Sequence, residues 1–235
     1  MFDKDEVISY SNQKAVDEGL RSFMLKIYNY MAGGLVLTAL SAWSVSHNIA
    51  ILKLFFTPNG YSTFGWLVLF APFIMCLFSG WIYNKNPQTW FWFFSTIMGF
   101  SLAPLFLFYT GTSIARVFLI TSAAFGALSI YGYTTKKDMT AWGSFLIMGV
   151  IGLIIASIVN IFLKSTGLDY ALSYLTVFIF AGLTAYDTQK MRSFYFLGMR
   201  NEDVATRGAI AGALSLYLDF VNMFLALLRI MGNRR

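Results

Sequence analysis

The sequence predicts an all-α polytopic membrane protein, a bundle of seven transmembrane helices. Hydrophobic residues make up 57% of the 235-residue chain and charged residues only 12%. Soluble domains carry about 25% charged residues, so the polar surface here is too small to cover the apolar side chains. Mean hydropathy is +0.64. A helix needs about 20 apolar residues to cross the hydrocarbon core, and seven windows meet that requirement. They leave little chain for extramembrane domains.

The first 22 residues read as a polar cytoplasmic tail and residues 23–235 as the membrane domain. The tail carries Asp3, Asp5, Glu6, Asp17 and Glu18. It predicts neither a secretory signal nor an Arg-rich transit peptide, so the first span serves as the insertion signal. The spans run over roughly 23–46, 63–83, 89–109, 113–133, 141–162, 171–190 and 209–231. Asn59-Gly60 and Asn86-Pro87 are turn dipeptides between spans, and Lys136-Lys137-Asp138 separates the fourth from the fifth. Trp66, Trp81, Trp90, Trp92 and Trp142 fall near span ends, where amphipathic rings favour the headgroup zone. Pro72 and Pro104 lie inside spans and predict kinks.

Orientation follows from the basic residues. With the N-terminus inside, eleven of the seventeen lysines and arginines fall on cytoplasmic segments and six on the other side. Arg234-Arg235 runs against this rule, which leaves two topologies for the last segment: a full span or a re-entrant hairpin around Asp219. The net charge of +6 reflects these loops. No basic patch interleaved with aromatics points to nucleic acid.

The informative polar residues are Asp187 and Asp219, one in each of the last two spans. A carboxylate at membrane depth costs several kcal/mol without a partner, a wet cavity or a function. Asp219 lies ten residues into its span, roughly 15 Å along the axis, and Asp187 near the cytoplasmic end of the preceding one, so a helical hairpin can bring them together. Ser215, Asp219 and Asn222 share one stripe, Thr184 precedes Asp187 by one turn, and Gly208 and Gly212 allow close helix approach. Two carboxylates in a low dielectric cannot both ionise cheaply and titrate as a coupled unit. They can share a proton or bind a hard cation such as Ca²⁺ through oxygen ligands. The structural alternative pairs each aspartate with a base such as Lys190 or Arg229. His47 and Cys76 are the sole histidine and cysteine, too few for a zinc set. No G-x-S-x-G, H-E-x-x-H or phosphate loop is present, so the chain reads as no enzyme and as having no bound cofactor.

The stretches LRSFMLKIYNYMAGGLVLTALSA, AYDTQ and ALSLYLDFVNMFLALLR resemble the Bax inhibitor-1 family, and the short tail resembles its bacterial inner-membrane branch. The resemblance implies six helices around a central seventh. It also implies a pH-sensitive passive Ca²⁺ leak gated by a di-aspartyl pair, here Asp187 and Asp219, which would serve as proton sensor and Ca²⁺ ligands. Thr184, Ser215 and Asn222 would form the supporting polar face. Such leaks carry a latching arginine near the end of the second helix. Here that region reads WIYNKNPQTW, which leaves Lys85 as the candidate latch, a point charge in place of a bidentate fork. The alternative function is an interaction protein that modulates a membrane-bound AAA protease or secretion complex through its acidic tail.

Overall fold

The computed structural model describes residues 4–57, 60–77, 86–198 and 202–235. Helix α1 (Lys4–His47) begins well before the first apolar window. Hydropathy marks only the part of a helix that meets lipid, and the helix continues into the polar zone without a breaker. Asn48 ends it and caps α2 (Ile49–Phe55), its side-chain oxygen accepting from the amides of Ala50 and Ile51 at 3.0 and 3.3 Å. A short antiparallel hairpin follows, β1 (Phe56–Thr57) against β2 (Gly60–Tyr61). Gly60 has φ +126°, a conformation that favours glycine.

Helix α3 (Thr63–Leu77) starts where the Ser62 hydroxyl accepts from the amide of Gly65 at 2.9 Å. Pro72 sits inside it without ending it. Helix α4 (Pro87–Leu102) opens with proline in its first turn, where the missing N–H costs nothing. The regular hydrogen bonding lapses at Ala103-Pro104, both still helical in φ and ψ, and resumes as α5 (Leu105–Phe108). The expected irregularity at Pro104 is therefore local, and the stretch Pro87–Phe108 continues through it. Then come α6 (Gly111–Thr134), α7 (Thr140–Leu163), α8 (Thr166–Gly198) and α9 (Glu202–Met231).

Six helices are long and apolar enough to cross a membrane: α1, α4 continued through α5 as Pro87–Phe108, α6, α7, α8 and α9. Helix α3, at 15 residues, spans about 22 Å against a core of about 30 Å. The rest of the 63–83 window, with Trp81, lies outside the described residues. Glu202 and Asp203, which lie before the 209–231 window, belong to the first turn of α9.

Helix α9 lies at the centre, packed against α1, α4, α6 and α8. In its most apolar stretch 61% of residues are buried, against 11% for α7, which faces outward. Ile210, Leu216, Tyr217, Phe220, Met223 and Leu228 are buried along the side that meets its neighbours. Phe91 and Phe94 of α4 meet Tyr217 edge-on at 5.9 and 6.0 Å, and Phe118 and Phe125 of α6 meet Phe220 at 5.3 and 5.6 Å. The aromatics are therefore not all interfacial. Trp90 is buried and stacks on Phe94 at 5.2 Å, whereas Trp66 and Trp142 are exposed.

A candidate site between the last two helices

Helices α8 and α9 approach closely because small residues line their contact. A Cβ on Gly208 would come within 2.4 Å of the Phe194 ring, and one on Gly212 within 2.6 Å of the Met191 sulfur. The opposite side of α8 is just as tight. A Cβ on Gly132 of α6 would stand 2.2 Å from the Ala185 carbonyl oxygen, and one on Gly143 of α7 would strike the Tyr186 ring at 2.3 Å. The segment around Asp187 is thus held between three helices.

Beyond it, two polar side chains tie α8 to the α6–α7 connection. Gln189 donates to the Lys137 carbonyl at 2.7 Å and accepts from the Met139 amide at 2.9 Å. Arg192 donates to the Tyr133 carbonyl at 2.9 Å and lies over the Tyr133 ring at 5.9 Å. In the sequence Gln189 stands out only as the last residue of AYDTQ. Its place at the end of the 171–190 window was the signal available for an anchor.

Asp187 is half-buried on α8. The Ser215 hydroxyl of α9 lies within hydrogen-bonding reach of its carboxyl, and the charge of Lys190, one turn on, acts upon it. Asp219, one turn beyond Ser215, is 4% exposed, and its Oδ2 is buried with no hydrogen-bond partner. The nearby charge that acts on it is that of Asp187. The structure therefore brings Asp187, Ser215 and Asp219 together. Like charges in so dry a place repel strongly.

The other polar residues take different roles in the geometry. Thr184 is fully buried, and its hydroxyl donates to the Phe180 carbonyl at 2.8 Å. Thr188, missed in the sequence although it belongs to AYDTQ, is equally buried and donates to the Thr184 carbonyl at 2.8 Å. The Asn222 amide donates to the Leu218 carbonyl at 2.8 Å. Each spends a donor on its own helix and keeps acceptor lone pairs.

Arg229 pairs with Asp169 at 3.3 Å, at the far end of α9, and not with Asp219. Lys190 is exposed, 5.9 Å over the Tyr186 ring. Lys85 lies outside the described residues. Among the described residues no cluster of three or more His, Cys, Asp or Glu could hold a metal ion.

A family model described as inhibitor of apoptosis-promoting Bax1 matches residues 20–235, both aspartates included. The chain belongs to the Bax inhibitor-1 family. This Bax inhibitor-1 family member is 47% identical over 229 residues to an uncharacterized protein of Rickettsia prowazekii, covering 96% of this chain and 95% of the relative. It is 45% identical over 231 residues to an uncharacterized protein of Caulobacter vibrioides, covering 94% and 92%. It is also 41% identical over 221 residues to inner membrane protein YbhL of Escherichia coli, covering 92% and 94%. With six apolar helices of spanning length, it is a multi-pass integral membrane protein.

Proposed function

We propose that the chain is a pH-sensitive passive Ca²⁺ leak of the bacterial inner membrane, gated by Asp187 and Asp219. The observation that carries this reading is the buried, unpartnered Oδ2 of Asp219 beside a second carboxylate. A pair so placed takes up positive charge, either one proton or a divalent cation, and the two compete for the same oxygens. Ca²⁺ prefers six to eight oxygen ligands. Two carboxylates and the Ser215 hydroxyl supply fewer, so the ion keeps part of its water. Weak, partly hydrated binding suits passage rather than storage. The acceptor lone pairs of Thr184 and Asn222 favour a cation in the same region.

In this reading the chain spans the membrane seven times with its N-terminus in the cytoplasm. Helix α3 belongs to the second span, and Lys85 is the candidate latch. The name of the Escherichia coli relative supports an inner-membrane location. The alternative, modulation of a membrane AAA protease, needs the acidic segment as a handle. Helix α1 already begins at Lys4, so a protease would have to unwind it first, and the leak is the reading carried forward.

The test is Ca²⁺ influx into proteoliposomes loaded with a fluorescent indicator, across pH values from about 6 to 8. Wild type is expected to show a pH-dependent flux that Asp187→Asn and Asp219→Asn each abolish. An unchanged pH profile in both variants, or no flux above empty liposomes, rules the reading out.

A further inference from the structure

An open cleft of about 720 Å³ lies along one face of α1, with Arg21, Leu25, Lys26, Asn29, Tyr30 and Trp92 among its lining. The leak does not use it. Its depth can be read from the helix. The spanning stretch of α1, Val16–His47, has 32 residues and is about 48 Å long, against a hydrocarbon core of about 30 Å. Counting about 20 residues back from His47 puts the core boundary near Ile27. Arg21 and Lys26 then lie at headgroup level and Tyr30 just inside. The Tyr30 and Trp92 rings, 5.8 Å apart, form an aromatic floor of the kind that marks a membrane interface. Leu25 is 50% exposed at the same level, where an acyl chain would run.

The polar groups are held in place. Lys26 Nζ donates to the Thr206 hydroxyl at 2.8 Å, which fixes its ammonium at the start of α9 and leaves two further donors. Arg21 adds a guanidinium one turn and a half away, and Glu18 supplies a carboxylate at the outer rim. The formal balance is one positive charge, that of two cations less one anion. It matches a monoanionic phosphodiester.

We propose that this cleft binds the headgroup of an anionic glycerophospholipid that carries hydroxyl groups. The phosphodiester lies on Arg21 and Lys26, the headgroup hydroxyls donate to Glu18, and an acyl chain follows Leu25 and Trp92. Basic pockets between spanning helices suit this chemistry, each cation adding attraction to an anionic lipid.

The test is native mass spectrometry of the full chain in non-ionic detergent, titrated with phosphatidylglycerol, with phosphatidylcholine of the same acyl chains, and with inorganic phosphate as competitor. The first phosphatidylglycerol is expected to bind about tenfold or more tightly than phosphatidylcholine. The Arg21→Gln/Lys26→Gln variant should lose that preference. Lys53→Gln/Lys164→Gln, at the other end of the bundle, should keep it. Thr206→Val, which frees the Lys26 ammonium and keeps its charge, should reduce the preference less than the Arg21→Gln/Lys26→Gln variant does. Equal affinity for the two lipids, preference retained in the Arg21/Lys26 variant, or displacement by inorganic phosphate would each overturn the proposal.

Discussion

At the scale of single residues, charge placement decides which groups are structural and which are poised. Arg229 and Asp169 are 49% and 39% exposed, and an exposed pair contributes about 0.2–1 kcal/mol. Arg229→Gln should therefore lower the unfolding midpoint in detergent only slightly and leave the pH profile of flux unchanged. A profile altered as strongly as by Asp219→Asn would return Arg229 to the site. Asp138 shows the opposite case. The hydroxyl and amide of Thr140 donate to its carboxylate at 2.6 and 2.9 Å and hold its pKa below the usual aspartate range. Its stabilising effect on the start of α7 is full above the unfolded value of about 3.9 and is lost only as pH falls through the lower folded value. Carboxyl carbon shifts should show Asp138 still ionised near pH 4, and Thr140→Val should bring its titration back towards the ordinary value. Asp187 and Asp219 were legible in the sequence because a carboxylate in an apolar window is costly wherever the helix points. The partner of Arg229 was not, since Asp169 is 60 residues away and helix ends meet only once the bundle is assembled.

Elements depend on how closely their backbones approach, and α6 provides an internal comparison. Gly132 faces the Ala185 carbonyl, where a Cβ would stand 2.2 Å from backbone oxygen, whereas Gly126 has nothing within 4 Å. Backbone cannot move aside as a side-chain tip can, so Gly132→Ala must separate α6 from α8. Overpacking of this kind costs about 1–3 kcal/mol. Gly126→Ala removes helix flexibility without a clash and should be neutral or stabilising by up to about 1 kcal/mol. Reversible unfolding in mixed micelles distinguishes them, and equal effects would mean that the close approach is unimportant. The spans themselves were legible, because about 20 apolar residues have few alternatives in a membrane. Their ends were not. The α8 and α9 helices extend past their windows to Gly198 and back to Glu202, where polar residues continue a helix that hydropathy no longer detects. Which aromatics are core and which interfacial was equally hidden, since Trp90 and Trp92 differ only in the face they present.

For the whole molecule, contacts between distant segments sort the chain into two ends. At one end Lys26 meets Thr206, and Gln189 and Arg192 hold the α6–α7 connection. At the other, the Asn233 amide donates to the Ser113 hydroxyl at 2.9 Å, the Arg235 amide to the Phe108 carbonyl at 2.9 Å, and Arg229 pairs with Asp169. Helix α9 runs unbroken from the first end to the second, which removes the re-entrant alternative. The basic residues that close the chain, awkward for the charge rule, have structural partners there: Arg234 hydrogen-bonds Tyr109. The charge asymmetry of the remaining residues then predicts which end faces the cytoplasm. Cys76 is the single cysteine, so a Cys76→Ser background allows one reporter thiol at a time. With the Lys136 end inside, a membrane-impermeant maleimide should label Lys53→Cys in intact spheroplasts and reach Lys136→Cys only after lysis. The reverse pattern would turn the molecule over. It would place Arg21 and Lys26 in the outer leaflet while leaving the chemistry of the aspartate pair unchanged, so orientation and gating are separately testable.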